Sequence, residues 1–230
     1  MAKRPVFSAC KDHVGVQEKL IDFKWYAGFA VSQKKKSIES LHVEARVHGY
    51  EDLLEISSKS DSELGFSLSA FNLMITTKKY KRSFTVESAF QGSKVFERGG
   101  PYTDLFSADS RSAKRDIRVK DSGNLIKFKF FGTEFPNVPR TYFYDWLYIN
   151  ALVQNENLCR QLGEFDGFTD IEFNPEKSIN CQARAVALYL SLKYNGCLDR
   201  ALSSPQEFLS LTQKYYEEQS KNITIQKHMF

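Results

Sequence analysis

The sequence predicts a helix-rich α+β fold: one domain, with a few short strands among the helices. Three observations lead there. Apolar residues make up 42% of the 230, with 19 Phe and 11 Tyr among them, enough large side chains to fill a core. Helical spacing of apolar positions recurs along most of the chain, broken by short runs that alternate or stay apolar. No repeat, Pro-rich hinge or low-complexity linker divides it. A single domain follows, with its core at about 20–195 and a helical extension over 196–230.

The elements read as follows. Over 38–48, Ile38, Leu41, Ala45 and His48 fall on or near one helical face. The runs 53–56 and 73–77 are short strands, the second followed by a polar turn at 78–82. Phe84-Thr85-Val86 leads into a helix that continues to Glu97 and stops at Gly99-Gly100-Pro101. A helix over 110–119 opens on Asp109 or Ser110 as N-cap. The stretch 124–131 alternates, as a strand with one wet face does. Aromatic-rich helix covers 140–155, a shorter helix continues to 162, and 170–173 is extended. A long helix over 178–194 ends at Asn195-Gly196, and 205–218 forms the last helix.

Composition narrows the class. No apolar run reaches bilayer length, and the basic start Lys3-Arg4 has no apolar stretch behind it, so a cytoplasmic protein is expected. Cys10, Cys159, Cys181 and Cys197 form no C-x-x-C pair, and His42 and His48 are six apart, so neither a metal nor another cofactor is expected. Net charge is +4, with basic residues clustered at Lys34-Lys35-Lys36 and Lys78-Lys79-Tyr80-Lys81-Arg82. Such clusters are either solvated loops or phosphate contacts, and charge alone does not choose.

The stretch 86–97 is the most informative. On one helix Glu87, Gln91 and Lys94 are spaced i, i+4, i+7 and share a narrow stripe, while the other positions up to Phe96 are apolar or small. Such a stripe is either the only wet face of a packed helix or the wall of a pocket. A pocket wall of carboxylate, amide and ammonium could transfer protons, orient a ligand and stabilise charge. Upstream, small hydroxyl residues stand between aromatics in Gly65-Phe66-Ser67-Leu68-Ser69-Ala70-Phe71-Asn72, which suits close approach of a sugar or base to the backbone.

Leu68-Ser69-Ala70-Phe71, followed by Thr85-Val86-Glu87-Ser88-Ala89-Phe90-Gln91-Gly92-Ser93-Lys94-Val95-Phe96, resembles the NADAR family pattern of an LSNF segment and then T-x-E-H-x-x-Q-x-x-K-F. Ser112-Ala113-Lys114-Arg115 resembles that family's Ala-Lys segment, and Asn150 through Glu172 its C-terminal half. Phe23-Lys24-Trp25-Tyr26-Ala27-Gly28-Phe29 and Tyr144-Asp145-Trp146-Leu147-Tyr148-Ile149-Asn150 are similar to the branch associated with DarT toxins. The family histidine after the glutamate is Ser88 here, its Asp-x-x-Trp-Gly segment is replaced by Glu176-Lys177-Ser178-Ile179-Asn180, and Phe135 stands for its tryptophan.

The resemblance implies a hydrolase that removes ADP-ribose from guanine in DNA, as antitoxin to a DarT-type ADP-ribosyltransferase. Glu87 would be the acid/base group, and Lys94 an ion partner, a phosphate ligand or an amine nucleophile, with Lys24 a second amine. Ser69, Phe71, Asn72 and Gln91 would line the sugar site; Glu172 is a candidate second carboxylate, with Glu176 near the family's aspartate. Trp25, Tyr102 and Trp146 could stack on a base. The target guanine would be single-stranded or flipped, its backbone held by Lys34, Lys35, Lys36, Lys79, Lys81 and Arg82. Expected partners are ADP-ribosylated DNA, ADP-ribose as product and the cognate toxin. The competing readings are an N-glycosidase acting on a riboflavin-pathway ribosylamine nucleotide, and a non-catalytic module that binds ADP-ribose or the toxin.

Overall fold

A computed structural model describes residues 1–28, 30–77 and 79–219. Phe29, Lys78, His228 and the end of the expected extension, 220–230, lie outside the described residues.

The chain opens with a hairpin that no periodic signal announces. β1 (Ala2–Ala9) pairs antiparallel with β2 (Val16–Phe23), in register from Ala2 opposite Phe23 to Ala9 opposite Val16. β2 is mostly wet and buries only Ile21 and Phe23, too few positions for alternation to show. α1 (Val31–Val47) lies over the hairpin, and its Ile38, Leu41 and Ala45 join Val6, Ile21, Phe23 and Ile171 in a satellite core. His48 caps that helix and is exposed.

β3 (Leu53–Glu55) runs parallel to β9 (Gly167–Thr169), and β9 meets β1 antiparallel, which makes a four-stranded sheet of order β2-β1-β9-β3. After the short α2 (Glu63–Ser67), β4 (Met74–Thr76) and β5 (Ser83–Thr85) form a second hairpin.

The expected helix over 86–97 is two elements. α3 (Val86–Gly92) ends at Ser93, and Lys94–Phe96 is a strand, β6, paired with β7 (Leu125–Phe130). β7 pairs in turn with β8 (Thr133–Pro136). At Gly92 a Cβ would lie 2.7 Å from the Phe106 ring, so the chain passes there only as glycine. Apolar Val95 and Phe96, read as helix from their composition, are strand because β7 offers them a partner.

The helix expected over 110–119 also divides, into α4 (Ser110–Arg115) and α5 (Ile117–Asp121). Asp116 breaks it by capping the second piece through the Arg118 N–H, at 2.9 Å. Next come α6 (Tyr142–Leu152) and α7 (Glu156–Gln161), and then α8 (Gln182–Tyr194), which begins four residues later than expected. Before α8 the Asn174 carbonyl accepts from Lys177 and Ser178, making a turn rather than helix. α9 (Leu198–Ser203) and α10 (Pro205–Glu217) close the described chain.

α6 and α8 are buried almost all round and form the centre of the main core. α10 is tied to it by Tyr216, whose hydroxyl donates to Asp145 Oδ2 at 3.0 Å. Burial pushes the Asp145 carboxyl up to about 6. Among the described residues the architecture is α+β with three small sheets, and no helix is long and apolar enough to cross a membrane.

Candidate active site

α3 begins where Thr85, as N-cap, accepts the Ser88 N–H at 3.1 Å. The next free N–H groups are anchored on the preceding turn, Val86 to the Leu73 carbonyl and Glu87 to that of Ala70, both at 2.9 Å. Those two bonds set the segment around Ser69 and Phe71 against the first turn of α3. Ser110 Oγ donates to the Phe71 carbonyl at 2.9 Å and contacts Thr85 Oγ1 at 2.7 Å, which brings α4 to the same place.

Glu87 and Gln91 are both 6% exposed. Gln91 Nε2 donates to Glu87 Oε1 at 2.8 Å, and Lys94 Nζ donates to Gln91 Oε1 at 2.7 Å. The three side chains form one hydrogen-bonded line, although Lys94 belongs to β6 rather than the helix. Lys94 also sits 4.7 Å over the Phe90 ring. Burial lowers its ammonium to about 8, against the attraction of Glu87 and with help from Lys114. An amine in that range is partly unprotonated near neutral pH, as a nucleophile needs.

This line forms one wall of a cavity of about 350 Å³. Ser69 and Phe71 line it beside Glu87, with Lys114 Nζ 3.8 Å from Glu87 Oε1 and 5.1 Å over the Phe71 ring. Asp170, Glu172 and Tyr144 also line it, with Gln182 at the start of α8. Asp170 Oδ1 accepts the N–H groups of Glu172 at 3.0 Å and Phe173 at 3.2 Å, so 170–173 is a turn at the end of β9 rather than a strand. Burial drives the Asp170 carboxyl well above the usual carboxylate range, and Glu55 and Glu172 push the same way. Glu172 is exposed and accepts from Ser58 at 3.2 Å. Carboxylates of different character, hydroxyls and amides around one space suit a ribose undergoing proton transfer.

The structure brings together Glu87, Gln91, Lys94, Ser69, Phe71 and Glu172, and leaves the other sequence candidates elsewhere. Asn72 turns away, donating to the Phe66 carbonyl at 2.8 Å and to Ser69 Oγ at 2.9 Å; it braces the turn and lines a separate hollow. Lys24 is exposed, its Nζ 4.9 Å over the Tyr26 ring, and Trp25 is flanked by Lys34 at 4.4 Å and Arg4 at 5.3 Å. Tyr102 contacts Ser122 Oγ at 2.5 Å under the Arg118 guanidinium, outside the cavity. Trp146 packs on Phe130, Phe135 and Phe143. Glu176 is exposed in the turn before α8. Ser88, where the family pattern has histidine, is buried and donates to the Ala108 carbonyl at 2.9 Å, on the α4 side of the helix.

Among the basic residues, Lys35 pairs with Asp61, Arg82 reaches Ser107 Oγ at 3.5 Å, Lys79 lies 5.2 Å over the Tyr80 ring, and Lys36 and Lys81 are exposed.

Sequence reasoning did not pick out Lys114, Tyr144, Asp170, Asn180 or Gln182. Lys114 and Asp170 lay within the matched segments Ser112-Ala113-Lys114-Arg115 and Asp170-Ile171-Glu172, a signal that could have found them. Asn180 and Gln182 lay in Ser178-Ile179-Asn180-Cys181-Gln182-Ala183-Arg184, which is similar to the same DarT-associated branch. Gln182 Oε1 accepts from the Ala70 N–H and its Nε2 donates to the Ile56 carbonyl, both at 2.7 Å.

Comparison with known proteins gives a family match. A sequence model of the family described as DarT1-associated NADAR antitoxin matches residues 2–222. None of the curated proteins searched matches the chain.

Proposed function

The chain belongs to the DarT1-associated NADAR antitoxin family, and from that premise we propose that it hydrolyses the N-glycosidic bond between ADP-ribose and guanine in DNA, reversing the product of a DarT-type toxin. The observation that carries the reading is the hydrogen-bonded line Glu87–Gln91–Lys94 facing a partly open cavity with Lys114 beside the carboxylate.

In this reading the ribose lies against Ser69 and Phe71 with its anomeric carbon near Glu87 and Lys94. Glu87 gives a proton to the departing guanine nitrogen. Before that transfer the ring C1–O bond opens, its oxygen taking a proton from Glu87, to leave an imine between C1 and the guanine nitrogen. The Lys94 amine adds to C1, and its proton passes by way of Glu87 to the guanine nitrogen. The bond from C1 to that nitrogen then breaks to leave an imine on Lys94. Water then hydrolyses the resulting imine, which restores the amine and frees ADP-ribose. Gln91 holds the two groups in line and cannot itself titrate. The guanine reaches the cavity from a single strand or as a flipped base.

The test is Glu87→Gln with an oligonucleotide carrying ADP-ribosyl-guanosine. Turnover should fall by about 10²-fold or more, the scale of a lost acid/base group, while binding of the modified strand persists. Full turnover in that variant removes Glu87 from the mechanism. Wild-type protein that binds the strand without releasing ADP-ribose makes the chain a binding module instead.

A further inference from the structure

The β4–β5 and β7–β8 hairpins meet at their tips through aromatic rings. β7 closes on β8 with Phe130 opposite Thr133, which leaves Phe131 and Gly132 as a two-residue turn with φ of 44° and 90°. Such a turn favours Asn or Gly at its first position, and a bulky ring there is strained. Phe131 stacks on Phe84 and Phe106, with centroids 5.9 and 5.5 Å away, and also with Tyr80 at 5.8 Å and 24°. Tyr80 is 56% exposed and Phe131 39%, so the stack continues past the core into solvent, where packing gives no reason for it. Lys81, beside Tyr80, is a second residue held at positive φ, 50°.

Charge indicates what suits that stack. Residues 79–82 and 129–133 hold Lys79, Lys81, Arg82 and Lys129, all exposed, and no carboxylate. Arg82 reaches Ser107 Oγ, three residues before α4 begins at Ser110. On α4, Arg111 stands three and four residues before Lys114 and Arg115, so these exposed cations share one side of the helix, and Lys114 stands at the cavity. Cations thus run from the aromatic stack to Glu87.

We propose that the Tyr80 ring, backed by Phe131, is a stacking platform for an unpaired base, by which the protein selects a single strand over a duplex. The inference rests on the glycohydrolase reading for why a strand comes to the protein. An exposed ring offers its face to any base, and cations beside it hold the backbone. A base inside a duplex has both faces covered by its neighbours and none to offer. The strand crosses α4 with its phosphates near Arg111 and Arg115, and its modified guanosine enters the cavity. The Lys79 ammonium, 5.2 Å over the Tyr80 ring, ends a flexible side chain and moves from ring to phosphate. An acidic protein segment would meet the same cations but has no use for two nearly parallel rings.

Binding is read by fluorescence anisotropy with a labelled, unmodified single strand of mixed sequence, and with the same strand annealed to its complement. Wild-type protein, Tyr80→Ala and Tyr80→Trp are compared, with circular dichroism to check folding. The expected result is single-strand affinity that weakens about fivefold or more in Tyr80→Ala and is kept in Tyr80→Trp, while the weaker duplex binding does not change. Unaltered single-strand affinity in Tyr80→Ala, an equal loss for the duplex, or duplex binding as tight as single-strand binding would each overturn it. So would competition by polyglutamate as effective as by unlabelled strand. The titration involves no turnover. Tyr80-dependent strand binding in a protein that fails to release ADP-ribose from DNA therefore leaves the platform standing and removes only the glycohydrolase reading.

Discussion

Lys94 shows how much chemistry one residue takes from its surroundings. The ammonium is held near 8 because burial penalises the charged form more than Glu87 repays it. A lowered amine pKa means that the nucleophilic form gains population as pH rises through about 8. Initial rates of ADP-ribose release should therefore climb between about pH 6 and about pH 9, the range around that value. A rate independent of pH across that range would exclude the amine as nucleophile. Lys94→Arg keeps a permanent cation and should bind ADP-ribose without turning the substrate over. Glu87 and Gln91 were legible because their spacing repeats with the helix, whereas Lys94, singled out by the same spacing, reaches the line from β6. Lys114, 27 positions from Glu87, was not legible, since only folding brings α4 to α3.

At the scale of elements, the site is assembled by bonds between segments distant in sequence. Gln182, at the first turn of α8, bonds two backbone groups at once, the Ala70 N–H and the Ile56 carbonyl. Gln182→Ala leaves both without a side-chain partner, and unmade buried bonds cost about 1–3 kcal/mol each. The midpoint in urea should fall accordingly, and turnover should drop further because the turn carrying Ser69 and Phe71 loses its brace. A stability loss with unchanged turnover per folded molecule would show that the turn is set by α3 alone. The helix over 86–97 was misread for a related reason. Val95 and Phe96 satisfy helix and strand patterns alike, and the partner strand β7 decides between them.

For the whole molecule, a net charge of +4 is small, and what matters is where the basic residues stand. Lys36 and Lys81 are exposed, while Lys34, Lys35 and Arg82 already have partners within the protein. If the two clusters hold the DNA backbone, raising salt from about 50 mM to about 200 mM should weaken binding of a modified strand by about tenfold or more. Hydrolysis of a free ADP-ribosylated guanosine should be nearly unaffected over the same range. Parallel loss of both would move the salt-sensitive contact into the cavity itself.

Local periodicity and contiguous motifs were enough to establish the α+β class, the helical character of α6 and α8, the family and the spacing of Glu87 and Gln91 on α3. Folding in three dimensions settled the rest: 94–96 is strand, 170–173 is a turn burying Asp170, Tyr102, Trp25 and Lys24 stand apart from the cavity, and Lys114 joins it. Those outcomes depend on which distant segment supplies a hydrogen-bond partner or excludes water, and spacing along one stretch of chain carries no information about that.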